Sequence, residues 1–148
     1  MKKIWFVLFL IFPLALVSQS YVPQRPPLLF TLNGNELKTV LTSKNSLVKM
    51  SEKEIVEVNK IINERREEYL TSCEKLKKSV PHDANGKPTG KADPEILREL
   101  EAISSDVCNS IYEILGEKRY EQFDRTLMNE SARRNMEGLK KALKNKKK

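Results

Sequence analysis

The stretch that decides the fold runs from Asn109 to Phe123 and reads NSIYEILGEKRYEQF. Apolar residues recur at helical spacing up to Leu115, and the spacing resumes at Tyr120 beyond the glycine. Glycine is the residue type that most often ends a helix, because it adopts positive φ without steric cost, and Gly116 stands at this break. The stretch therefore predicts that Leu115 to Arg119 joins two helices at a fixed angle.

The helix before this break is predicted to begin at Asp93-Pro94. Aspartate is a favoured N-cap, and proline fits the first helical position because its missing N–H has no partner there. From this start to Leu115 the apolar residues form one stripe, which contains Ile96, Leu100, Ile103, Val107, Ile111 and Ile114.

An earlier helix is predicted from Glu52 to Ser79. Ser51 and Glu54 form a capping box, in which the hydroxyl accepts from a free helix amide and the carboxylate bonds back to the cap. A polar loop with two glycines and Pro88 ends it. Its apolar stripe contains Ile55, Val58, Ile62, Tyr69, Cys73, Leu76 and Val80, with Arg65 completing the spacing. The two helices therefore form an antiparallel hairpin.

A third helix is predicted from Glu117, with Tyr120, Phe123 and Leu127 spaced for burial. Farther on, SARRNME at 131–137 supplies few apolar anchors, so we expect the end to fray. The predicted fold is all-α: a helical hairpin plus a third helix over residues 51–143, followed by a lysine-rich tail at 144–148.

Residues 1–20, MKKIWFVLFLIFPLALVSQS, have the layout of a signal peptide that is cleaved after Ser20. The alternative is a membrane anchor, but the apolar run from Ile4 to Val17 is shorter than the ~20 residues that cross a bilayer, and Pro13 interrupts it. We therefore expect a soluble protein outside the cytoplasm.

Residues 21–50 are predicted to be a flexible arm, because the prolines of YVPQRPPLLF exclude a regular helix. Two alternatives stay open. Asn33-Gly34 could turn a short hairpin, and Glu36 to Leu41 could form a helical turn.

The basic charge lies mostly in the tail. The chain has a formal net charge of +7, yet residues 21–139 sum to −1 and the last nine residues, KKALKNKKK, carry six lysines. Such a run is usually a solvated end. The expected export disfavours nucleic acid as a partner, whereas weak contact with an anionic membrane surface or an acidic client stays open.

Two cysteines in an exported chain predict a disulfide. An internal bond between Cys73 and Cys108 is favoured, because they lie on neighbouring predicted helices. Pairing residue 80 with residue 94 leaves a mismatch of ~10 Å, whereas a disulfide needs Cα atoms within ~7 Å. The helices would have to be staggered, or the bond would join two chains.

No motif predicts catalysis, a cofactor or a metal. The chain lacks nucleophile-elbow, phosphate-loop and zinc-protease patterns, so we predict that it is not an enzyme. His82 is the sole histidine, whereas metal sites need several such ligands.

Two stretches look alike: Met50 to Glu54, MSEKE, opens the first long helix, and Leu115 to Arg119, LGEKR, opens the last. Both resemble the LTxxQ motif of the Spy/CpxP family of periplasmic helical proteins. Phe123 lies where the family's second motif continues. Threonine is replaced by Ser51 and Gly116, and glutamine by Glu54 and Arg119.

The resemblance implies a cradle-shaped antiparallel homodimer in the periplasm, whose concave face holds unfolded or partly folded envelope proteins without ATP. The expected client-binding residues are Arg65, Arg66, Ile62 and Tyr69, where cations border the apolar stripe; an ordinary solvated helix is the alternative. Two other functions stay open: a regulatory protein that binds and restrains an envelope-stress sensor kinase, and a metal-responsive periplasmic sensor.

Overall fold

A computed structural model describes residues 26–145, which form five helices. In chain order they are α1 (Leu28–Thr31), α2 (Gly34–Thr42), α3 (Glu52–Ser79), α4 (Pro94–Leu115) and α5 (Glu117–Asn145). Across the described range there is no strand, only an isolated bridge between His82 and Pro88. The predicted all-α class is confirmed. The expected signal peptide lies outside the described residues.

Helices α3 and α4 begin and end where their local signals predict, and α5 begins where the sequence predicts. The Ser51 hydroxyl accepts from the Glu54 amide at 3.3 Å, and the Glu54 carboxylate accepts from the Ser51 amide at 2.8 Å. At the start of α4, the Asp93 carboxylate accepts from the Glu95 amide at 2.9 Å. These contacts satisfy helix amides that otherwise lack partners.

Helices α3 and α4 run antiparallel, and two side-chain contacts define their register. The Ser72 hydroxyl donates to the Glu99 carboxylate at 2.9 Å, and Arg65 lies 3.4 Å from the Asp106 carboxylate. Apolar side chains from both helices, among them Val58, Ile62, Ile103, Val107 and Ile111, are almost completely buried.

The chain before α3 is helical and packed, which differs from the expected flexible arm. We call residues 26–48 the N-terminal segment. Asn33 does not turn a hairpin but caps α2 in a second capping box with Glu36. Both short helices pack on α3 and α5. The segment's buried side chains are Leu29, Phe30, Leu32, Leu37, Val40, Leu41 and Val48. These side chains enlarge the hydrophobic core, which would be small if the three long helices formed it alone.

Helix α5 buries side chains against the body through its first half only. Phe123, Thr126 and Leu127 are its buried residues. The predicted fraying is not seen, because the helix continues to Asn145, two residues beyond the predicted end of the domain. None of the helices within residues 26–145 has the length and apolar character needed to cross a bilayer.

Candidate functional site

The two motif-like turns, distant in sequence, meet in the structure. Arg119 donates two hydrogen bonds to the Glu54 carboxylate, from Nη1 to Oε1 at 2.8 Å and from Nη2 to Oε2 at 2.9 Å. Its Nη2 also donates to the backbone carbonyl of Lys49 at 2.8 Å. We call the Glu54–Arg119 pair the clasp. It fastens the start of α3 to the start of α5.

The clasp shifts the pKa of both side chains. Hydrogen bonds from Arg119, then from the Ser51 amide and hydroxyl, lower the pKa of Glu54 to about 2. The same contact raises the pKa of Arg119. Both groups are therefore charged at neutral pH, and the pair is a charge-assisted, bidentate contact of the strong kind.

Sequence reasoning treated Glu54 and Arg119 as two separate departures from glutamine. The structure shows that they are partners. Both occupy the last position of their motif-like turns, and their charges are opposite. Complementary charges at equivalent positions were the signal that could have revealed the pair.

Gly116 is the single residue between α4 and α5. Its φ of 72° and ψ of 167° lie in a region that L side chains rarely adopt. Its amide donates to the Tyr112 carbonyl at 2.8 Å, and its carbonyl accepts from the Tyr120 amide at 2.9 Å. One helix thus ends and the next begins on the same residue, as the sequence predicted.

The apolar members of the two turns lie in or against the core. Leu115 and Phe123 are buried, and Met50 is partly buried against them in the same cluster. The motif-like turns therefore act as a structural joint, since their polar members form the clasp and their apolar members pack inward.

Two residues predicted to meet a client are instead buried beneath the N-terminal segment. Ile62 is fully buried and Tyr69 is 7% exposed. The Tyr69 ring stacks on Phe30 of α1, with ring centroids 3.9 Å apart and planes 6° from parallel. In this conformation neither residue forms an open surface.

The two predicted arginines are also engaged within the chain. Arg66 donates to the backbone carbonyl of Leu32 and to the Asn63 side chain. Arg65 forms ion pairs with Glu68 at 3.0 Å and with Asp106 at 3.4 Å. The N-terminal segment therefore occupies the place where the sequence predicts a bound client.

A groove of about 310 Å³ lies open next to α1, between α1, α4 and α5. Its lining is mainly apolar and includes Leu28, Phe30, Tyr120, Leu127 and Met128. Burial raises the pKa of Tyr120, and the neighbouring Cys108 adds to the effect. The groove therefore adds exposed apolar surface next to the part of α3 that α1 covers.

The structure does not contain the predicted internal disulfide. Cys73 and Cys108 are both free thiols. The observed register places Cys73 opposite residue 98, ten residues along α4 from Cys108, or roughly 15 Å. That distance is about twice what a disulfide spans between Cα atoms. The bond between two chains stays a prediction.

Residues 26–145 contain no group of three or more His, Cys, Asp or Glu side chains placed to hold a metal ion. His82 is exposed in the loop between α3 and α4.

Comparison with known proteins finds no match for this chain among family models, curated proteins or solved structures. The resemblance to the Spy/CpxP family stays a prediction that rests on the two motif-like turns.

Proposed function

We propose that this protein is an ATP-independent periplasmic holdase that binds unfolded segments on the apolar face of α3, at the place that α1 occupies. The observation that carries the proposal is the seating of α1. It is a four-residue helix whose Phe30 stacks on Tyr69 and whose chain is bound through the Leu32 carbonyl by Arg66. This is how a short peptide would be held.

The contacts to α1 are suited to recognition without sequence specificity. Arg66 bonds to a backbone carbonyl, a group that every unfolded chain presents. Tyr69 offers a flat ring to an apolar side chain, and aromatic rings accept many partners in stacked or edge-on geometry. A client segment with one aromatic or aliphatic residue could therefore reproduce the contacts of α1.

The energetics favour exchange over permanent closure. Leu29, Phe30 and Leu32 are buried, which stabilises the seated state by roughly 5–9 kcal/mol in total. Ordering the five residues 28–32 costs roughly 5–10 kcal/mol of conformational entropy. Because the two terms nearly cancel, α1 can open while α3, α4 and α5 stay folded, and a client can take its place.

The test compares Phe30→Ala with Leu76→Ala in aggregation assays that contain no nucleotide. Both residues are fully buried, but Leu76 lies seven residues beyond Tyr69 on α3, away from the stack. Both substitutions leave a cavity and destabilise by about 2–5 kcal/mol. Only Phe30→Ala loosens α1. Several heat-stressed or reduced clients are followed by light scattering at near-stoichiometric protein.

We expect the unsubstituted protein to slow aggregation, and Phe30→Ala to do so at lower protein concentration than Leu76→Ala. Absence of protection for all clients with all three proteins rejects the holdase function. Equal protection by the two variants retains the holdase but rejects α1 as the occupant of its site. The kinase-regulator and metal-sensor functions, and the homodimer, stay predictions.

A further inference from the structure

From residue 128 onward, α5 carries an exposed apolar stripe. Met128, Met136, Leu139 and Leu143 are 64%, 55%, 60% and 63% exposed. At 100° per residue these four side chains fall within an arc of about 80°. Phe123, Thr126 and Leu127, which face the body, project from roughly the opposite side of the helix. Within residues 26–145 the stripe therefore points away from the body, although Met128 at its edge also lines the groove beside α1.

The same end of α5 carries the net charge of the whole protein. Residues 131–148 contain eight lysines and arginines and one glutamate, for a net charge of +7, whereas residues 26–130 sum to −3. Arg133 and Arg134 are paired with acidic side chains of the chain itself. Lys140, Lys141 and Lys144 are all exposed. At 100° per residue, Lys140 and Lys144 lie along one flank of the stripe, whereas Lys141 projects from the opposite side of the helix.

We propose that residues 128–145 dock on an anionic lipid surface, with the stripe against the acyl-chain boundary and the flanking lysines on the headgroups. A basic helix with one apolar face lies in the plane of such a surface, where each cation adds to the affinity. The described part of this segment is too polar to cross the bilayer. The body would be held on the side of α5 that faces away from the lipid.

The positive charge of this segment, together with its apolar stripe, favours a lipid surface over a second copy of the chain or nucleic acid. A second copy that paired its stripe in parallel would bring two +7 segments together, and like charges repel across an interface. Nucleic acid would attract the lysines but leaves the four apolar side chains in water. An anionic bilayer supplies both the negative charge and the apolar phase. This inference does not depend on the holdase function.

The test is vesicle sedimentation of the chain from residue 21 to residue 148, which contains every described residue. The probes are vesicles of phosphatidylcholine mixed with phosphatidylglycerol, and vesicles of phosphatidylcholine alone. Lysines are removed in the triple variant K140Q/K141Q/K144Q, and its matched control is K75Q/K78Q/K87Q, three exposed lysines elsewhere. The apolar stripe is tested with Leu139→Ser. The matched control is Val56→Ser, because Val56 is 68% exposed on α3.

We expect binding to the anionic vesicles that weakens with salt. Each lost charge near the surface should lower the partition coefficient about fivefold, so loss of Lys140 and Lys144 should make the triple variant bind at least roughly thirtyfold more weakly. Leu139→Ser should lower binding by about tenfold, since a leucine contributes to insertion in proportion to its area. Both control variants should bind as the parent does. Circular dichroism confirms that each variant is folded.

Three results would overturn the proposal. They are equal binding to neutral and anionic vesicles, no binding to either at low salt, and parent-like binding by the triple variant. A dimer that persists on vesicles and is lost in Leu139→Ser would assign the stripe to a second copy instead.

Discussion

Removing the clasp is the sharpest test of how the two motif-like turns work. Arg119→Ala deletes two charged hydrogen bonds to Glu54 and one to the Lys49 carbonyl. An exposed ion pair contributes about 0.2–1 kcal/mol, and a hydrogen bond to a charged group about 1.5–3 kcal/mol. The side chains of Arg119 and Glu54 are 36% and 25% exposed, so the contribution of the clasp should lie between those two cases. We expect Arg119→Ala to lower the free energy of unfolding by about 2 kcal/mol.

Changes at Glu54 separate its two roles. Glu54→Ala removes the clasp and the half of the capping box in which the Glu54 carboxylate accepts from the Ser51 amide, and loss of that hydrogen bond costs a further ~0.5–1.5 kcal/mol. Glu54→Gln keeps an oxygen that can accept from the Ser51 amide and removes the charge. The glutamine variant should therefore be the less destabilised of the two, and it isolates the clasp.

The assay is a double-mutant cycle of Glu54→Gln and Arg119→Ala, measured by urea unfolding at pH 7. We expect a coupling free energy of about 1–1.5 kcal/mol, well above the ~0.3–0.5 kcal/mol within which independent sites add. Coupling inside that additive range would refute the clasp as a joint between α3 and α5.

The coupling should also depend on pH. The pKa of Glu54 is about 2 in the folded protein, below the ordinary glutamate value of ~4.3. A lowered pKa contributes stability that is complete above the unfolded value and is lost as pH falls through the folded one. The stability difference between parent and Arg119→Ala should therefore shrink between about pH 5 and pH 2. A constant difference over that window would contradict the assignment.

Three further predictions concern single residues. Gly116→Ala should lower the free energy of unfolding by about 1–3 kcal/mol through its positive φ, whereas Gly138→Ala, in open space within a helix, should raise it by about 0.5–1 kcal/mol; urea unfolding of both variants compares them. Alkylation followed by mass spectrometry should label half-buried Cys108 before Cys73, whose pKa burial raises. Phe30→Ala should speed amide hydrogen exchange of residues 28–32 far more than that of α4, and uniform acceleration would reject local opening.

The long helices could be predicted because their signals are local. Capping boxes, the Asp93-Pro94 start and the Gly116 stop each act within one or two turns, so the sequence alone predicts the bounds of α3 and α4. The seating of the N-terminal segment could not be predicted in this way. Its short helices are stabilised mainly by side chains of α3 and α5, which lie far away in the sequence.

In the candidate site, too, local patterns predict some features, whereas contacts between residues distant in sequence could not be predicted. Periodicity predicted that Ile62 and Tyr69 share an apolar face, but it carries no information about what covers that face. The clasp joins residues 65 positions apart, so no local pattern predicts it. Pairing of the arginines with Asp106 and with the Leu32 carbonyl likewise depends on the three-dimensional register.

The contact between the first and last helical segments has a consequence for biosynthesis. The Leu47 amide donates to the Thr126 hydroxyl at 3.0 Å, and Arg134 lies 3.6 Å from Glu36. A chain that emerges from its amino end must complete more than half of α5 before residues 34–48 find their partners on that helix. During that interval part of their apolar surface is exposed to solvent, so the nascent chain is itself the kind of species that aggregates.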